Sequence, residues 1–144
     1  MDHKPLTDLL AESATMLVVN DLVASIQFYG DRLGFEVLER QEHIVALRLG
    51  SLNLYLFTSS PPTPDKPGIT IENLNTPAKT AVIIDLLVSD CQAAYDRLTA
   101  IGLNFLTPPH TPPWGGRRCF LRDPDGYLIE IEENTASPFQ KRAR

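Results

Sequence analysis

Arg122-Asp123-Pro124-Asp125-Gly126-Tyr127-Leu128-Ile129-Glu130-Ile131-Glu132 decides how this chain is read. Asp-Pro-Asp-Gly is a tight-turn signal, because Pro sets φ at the second position and Gly accepts a positive φ. The six residues after the turn alternate with a period of two, as a strand does. Ile129 and Ile131 fall on one face; Leu128, Glu130 and Glu132 fall on the other. Glu130, between two isoleucines, is either a solvent-facing strand residue or a carboxylate aimed into a cavity.

Working outward, the chain repeats one pattern. Thr15–Val19 and Val82–Val88 are β-branched, apolar runs that end at Asn20-Asp21 and Ser89-Asp90. Asp21 and Asp90 predict N-caps, each accepting from an orphan amide of a helix's first turn. Leu22, Ile26, Tyr29 and Leu33 keep helical spacing after the first cap, and Cys91, Ala94, Leu98 and Ile101 do so after the second. Gly34 and Gly102 then act as C-terminal stops. Three strand-like runs follow each glycine. In the first half these are Phe35–Glu39, His43–Leu49 and Leu52–Phe57, with Gly50-Ser51 as a hairpin turn. In the second half they are Leu103–Leu106, Arg117–Arg122 and Tyr127–Glu132. The unit strand–helix–strand–strand–strand is thus used twice, which predicts two similar modules.

The expected boundaries are an N-terminal segment 1–13, a first module 14–57, a proline-rich linker 58–79, a second module 80–133 and a tail 134–144. The linker carries Pro61, Pro62, Pro64, Pro67 and Pro77, and its length suits a linker or a site-covering loop. A second proline-rich stretch, Thr107–Pro113, precedes Trp114 and reads as either a rim over a pocket or a stiff connector.

Composition narrows the function classes. The 144 residues suffice for one domain with a core, and 43% hydrophobic with 22% charged content is ordinary for a globular chain. Eighteen acidic against 13 basic residues, a net charge of −5, disfavour nucleic acid and anionic membranes as partners. The basic tail Lys141-Arg142-Ala143-Arg144 is too short to reverse this. No apolar run approaches the roughly 18 residues of a membrane span, and the first residues lack a secretory pattern. The expected location is cytoplasmic. Cys91 and Cys119 have no metal-type spacing and read as two buried thiols, with one disulfide as the alternative.

In its paired modules the chain resembles the vicinal-oxygen-chelate superfamily, which holds glyoxalase I, extradiol dioxygenases and the fosfomycin- and bleomycin-resistance proteins. Three further motifs carry the likeness: Ala14-Thr15-Met16-Leu17-Val18-Val19-Asn20-Asp21, Phe28-Tyr29-Gly30-Asp31-Arg32-Leu33-Gly34-Phe35, and Asp123-Pro124-Asp125-Gly126 with the strand after it. The resemblance spans about Ala14 to Glu133. It implies an α+β fold of two βαβββ modules forming a curved, partly open, barrel-like sheet with helices outside. It also implies a homodimer, and a divalent metal held from four strand positions. Carried over, those positions are Ala14, Tyr55, Ile83 and Glu130. Ala14 and Ile83 have no donor atom, and a phenol is a poor ligand for metals that take imidazole and carboxylate. Only Glu130 matches, so no metal cofactor is expected by that route. A register slip of one or two residues would bring in Asp85.

With Glu130 facing inward, strand alternation lines a cavity with Met16, Tyr55, Phe57, Asp85, Leu128 and Glu130, and with Ala14, Val18, Asn53, Ile83, Leu87 and Glu132. Trp114 and Phe120 add aromatic walls. Asp85 interrupts an apolar strand and calls for a partner, either Arg117 or Arg118, or a ligand. His43 and His110 are surface histidines unless they reach the cavity. Two functions follow. One is a small-molecule-binding protein without the usual metal ligands, sequestering an aromatic or cationic compound as resistance proteins do. The other is a superfamily lyase or oxygenase, working through non-standard metal ligands (Asp85, Glu130, His43) or without metal through Glu130 as base.

Overall fold

Burial alternates along most strands of this chain, and that alternation builds two sheets, each with one packed and one open face. The computed structural model describes residues 3–74, 76 and 78–139. Pro77 and the basic tail Lys141–Arg144 lie outside the described residues. The fold is α+β, and the chain divides into two compact units, Met1–Asn73 and Leu74–Arg144.

In the first unit the order is β1 (Thr15–Val18), α1 (Leu22–Ile26), β2 (Glu36–Arg40), β3 (Ile44–Leu49) and β4 (Leu52–Phe57). The strands form one mixed sheet in the order β1-β4-β3-β2, with β1 parallel to β4 and the other pairs antiparallel. The predicted cap is present: the Asp21 carboxylate accepts from the Ala24 amide at 3.1 Å. Beyond α1 the helix widens into a π-type stretch, Gln27–Arg32, which buries Phe28 and Tyr29 side by side. Their rings meet edge to face at 5.0 Å, and Tyr29 meets Phe35 at 5.5 Å. Leu17, Val45, Leu47, Leu54 and Leu56 are all buried and fill the packed face of the sheet. Each such side chain contributes about 1.5–3 kcal/mol by leaving water. β2, at the sheet edge, is exposed along its whole length.

The proline-rich stretch after β4 folds back on itself. Ser60 and Ile71 exchange backbone hydrogen bonds at 2.9 and 2.8 Å. The Lys66 ammonium donates to the carbonyls of Pro61 and Ile69 at 2.7 and 3.0 Å. Lacking amide donors at its prolines, the segment uses a lysine to satisfy its carbonyls.

The second unit holds β5 (Ile83–Leu87), α2 (Cys91–Ala100), β6 (Arg117–Arg122) and β7 (Leu128–Glu133) in a mixed sheet of order β5-β7-β6. Asp90 caps α2 by accepting from the Ala93 amide at 2.9 Å, and Glu133 accepts from the Cys91 amide at 2.8 Å. Gly34 and Gly102, at φ +90° and +94°, stand just past the two helical segments, a conformation that costs a glycine little. Ile84, Cys119, Leu121, Ile129 and Ile131 are buried, and α2 packs on β6 and β7. Ile101, expected on the apolar face of α2, is instead 51% exposed.

One expected strand shrinks. Leu103–Leu106 makes a single bridge, Phe105 to Leu121, with the Leu106 amide donating to the Phe120 carbonyl at 2.8 Å. Pro108 and Pro109 follow after Thr107, and without N–H groups they cannot extend a ladder. The pairing resumes only at His110, which exchanges two backbone hydrogen bonds with Arg118, at 2.8 and 2.9 Å. Among the described residues no helix is long and apolar enough to cross a membrane.

Candidate functional site

Register turns the open face of the second sheet into a small grid. Pairing β6 to β7 and β7 to β5 sets Arg122, Leu128 and Ile83 in one row. Phe120, Glu130 and Asp85 form the next, and Arg118, Glu132 and Leu87 the third. The turn before β7 holds this register. Asp123 is only 5% exposed, and its carboxylate accepts from the amides of Asp125 at 2.9 Å and Tyr127 at 2.8 Å. Asp123 therefore aims Glu130 from a buried anchor seven residues away.

Asp85, Glu130 and Glu132 each offer a carboxylate oxygen, and these oxygens all lie within 4.8 Å of one another. Asp85 is exposed and the two glutamates are half-buried. Desolvation against the sheet pushes the Asp85 carboxyl up from 3.8 to about 7, helped by a hydrogen bond with Glu132 and by the charges of Glu130 and Glu132. Three like charges this close resist ionising together, so a proton shared between Asp85 and Glu132 relieves the group. Glu130 is raised as well, first by burial and then by Glu132, with Arg118 opposing. The arrangement is an acidic wall that gains from any cation.

The salt bridge weighed for Asp85 is not made with either arginine. The Arg117 guanidinium donates to Gln92 at 3.3 Å. The centre of the Arg118 guanidinium lies 4.9 Å from the Trp114 ring and 5.1 Å from the Phe120 ring. Asp85 faces two carboxylates because parallel pairing sets it beside Glu130.

Trp114 is 69% exposed and touches Arg118. His110 lines a cleft of about 390 Å³ with Thr107, Pro108, Pro109, Arg118 and Phe120. In the first unit, Met16 and Tyr55 are register partners on the open sheet face, with Val18 beside Phe57 in the next row. Met16 and Tyr55, with Ile44, Ala46, Glu39 and Gln41, border a hollow of about 240 Å³. Asn53 is tied elsewhere: it accepts from Arg48 at 2.8 Å and donates to the Ser13 carbonyl at 2.9 Å. His43 is exposed and 3.8 Å from Glu42.

Of the expected residues, then, Asp85, Phe120, Leu128 and Glu130 share one face, and Met16, Tyr55 and Phe57 share another in the other unit. Glu132 and Arg118 carry more of the site than the sequence reading assigned them. The signal for both was alternation: Glu132 is two residues from Glu130, and Arg118 two from Phe120.

A family profile described as the Glyoxalase/Bleomycin resistance protein/Dioxygenase superfamily matches residues 13–131. The chain belongs to this superfamily. Its members commonly bind small molecules, often bind metal and commonly form dimers. The uncharacterized protein YraH of Bacillus subtilis (strain 168) is 30% identical over 118 residues, covering 80% of this chain and 91% of YraH. A glyoxalase-related enzyme from Fulvimarina pelagi is 26% identical, with a TM-score of 0.68 over 90% of this chain and 92% of that one. A glyoxalase/bleomycin resistance protein/dioxygenase from Nocardioides, 24% identical, has a TM-score of 0.71 over 96% of this chain and 90% of its own.

Of the four positions that the resemblance assigns to a metal, Ala14 and Ile83 carry side chains without donor atoms. The second unit offers a different set. Three carboxylates within 4.8 Å are an all-oxygen donor group, which suits a hard divalent cation such as Mg²⁺, Ca²⁺ or Mn²⁺.

Proposed function

We propose that this superfamily member is a small-molecule-binding protein that sequesters an organic cation through Asp85, Glu130 and Glu132, with Phe120 beside them. The acidic trio carries this reading. Its carboxylates repel one another, and a ligand ammonium or amidinium relieves that repulsion while the Phe120 ring adds cation–π attraction. Leu128 supplies an apolar contact in the next row. Met16, Tyr55 and Phe57 share an apolar sheet face in the first unit, suited to an uncharged aromatic group. In this reading the protein works as a homodimer.

A second reading is favoured by the same 4.8 Å cluster. Asp85, Glu130 and Glu132 would hold a divalent ion, and such an ion supplies a Lewis acid that polarises a substrate oxygen. The likeness to the Fulvimarina pelagi glyoxalase-related enzyme supports an enzymatic role. Without a metal, Glu130, raised by burial, would instead serve as the base that takes a substrate proton.

A thermal-shift series with benzyltrimethylammonium, Mn²⁺ and Ca²⁺ on the wild type and Glu130→Gln separates the two. The first reading expects saturable stabilisation by the organic cation, lost in the variant. Stoichiometric metal binding that the variant abolishes, without any response to the organic cation, favours the second. No response to any of the three sinks both.

A further inference from the structure

The cleft beside Arg118 has the opposite electrostatic sense to the acidic wall. It is bordered by Thr107, Pro108, Pro109, His110, Arg118 and Phe120, and no carboxylate is among them. Its volume of about 390 Å³ lies in the range of small-molecule sites. The cleft is also built to keep its shape. Two backbone hydrogen bonds, at 2.8 and 2.9 Å, tie His110 to Arg118, and the two prolines between Thr107 and His110 restrict φ.

The guanidinium is held but not satisfied. The Trp114 and Phe120 rings lie 4.9 and 5.1 Å from its centre. Ring faces attract the charge but cannot accept along the guanidinium edge, where its five N–H groups point. Among the described residues no hydrogen-bond acceptor or ion-pair partner at contact distance meets that edge; Glu130 feels its charge only at longer range. A half-buried arginine fixed by two rings, with its donor edge free, is preorganised to receive a planar oxyanion in two parallel hydrogen bonds.

We propose that Arg118 heads a second ligand subsite, adjoining the acidic wall and sharing Phe120 with it, which takes the oxyanion of an aromatic carboxylate or phosphate while Phe120 and the Pro108–Pro109 wall receive its ring. The subsite stands whether or not the acidic trio binds an organic cation or a metal. If both operate, the preferred ligand is zwitterionic, since Arg118 and Glu132 are register partners on one face.

The test is an NMR titration of the full chain with benzoate, phenyl phosphate and neutral benzamide, following the arginine Nε–H and the single tryptophan Nε1–H. Benzoate or phenyl phosphate is expected to shift both signals saturably, with benzamide at least about tenfold weaker. The stronger of the two anions identifies the oxyanion. Arg118→Gln should weaken anion binding about tenfold or more, and Arg118→Lys should restore only part of it because the planar fork is gone. Equal binding of benzamide and benzoate, unchanged binding in Arg118→Gln, or no saturable shift with either anion overturns the proposal. The wild-type comparison of benzoate with benzamide decides the matter even if a variant fails to fold.

Discussion

Replacing Asp85 with Asn removes one charge from the trio while keeping the side chain's size and its place beside Glu130. In the folded chain the Asp85 carboxyl is raised from 3.8 to about 7. A raised folded value means that ionisation opposes folding. The favourable protonated state is fully present below about pH 3.8 and is lost as pH rises through about 7. Taken at face value the shift is worth about 4 kcal/mol. Because Asp85 is exposed, solvent screening reduces this to about 1–2 kcal/mol. Asp85→Asn should therefore be more stable than the wild type by about 1–2 kcal/mol at pH 8, and the advantage should vanish by pH 4. Urea unfolding at half-unit pH steps, followed by circular dichroism, measures it as a change in midpoint at constant slope. A gap that is flat from pH 4 to 8, or a variant less stable at pH 8, would refute the claim that the trio is under electrostatic strain.

Two more outcomes test the packing beneath the site. Cys91 and Cys119 are buried with sulfurs 3.7 Å apart, and burial pushes the Cys119 thiol up to about 12. Both should react slowly with a thiol reagent at pH 8 in the native protein and fast in urea; rapid native labelling would contradict this. Asp123→Ala removes the acceptor for two backbone amides in the turn before β7, and should cost about 2–4 kcal/mol in urea unfolding. Asp123→Asn, which keeps one acceptor oxygen, should lose less, and equal stability of all three proteins would show the turn to be redundant.

Much of the architecture was legible in the residues. The caps Asp21 and Asp90, the stops Gly34 and Gly102, and the alternation in β4, β6 and β7 all report local preferences. Local chemistry alone is enough to read them. The strand expected at Leu103–Leu106 shrinks to one bridge, because its apolar pattern is cut short by the prolines that follow. Ile101 is exposed because the helical spacing of apolar residues runs one position past the end of α2 at Ala100. The candidate site was half legible. Alternation puts Glu130 and Asp85 on one face, but it leaves open whether an arginine or another carboxylate stands beside Asp85.

Alternation along a single strand assigns each side chain to a face, and that much is written in the residues for Glu130, Glu132, Asp85, Phe120 and Arg118. So is the turn at Asp123–Gly126 that begins the last strand. What stands beside what is a property of register between strands far apart in the chain, and only the tertiary structure decided it. Parallel pairing of β5 with β7 set Asp85 against Glu130. Antiparallel pairing of β6 set Phe120 on the other side of Glu130 and Arg118 opposite Glu132, with the Arg118 guanidinium over Trp114. A slip of one residue would have sent every one of these side chains to the opposite face. The buried isoleucines Ile129 and Ile131 forbid that slip, so the core of the second unit fixes the chemistry of its surface.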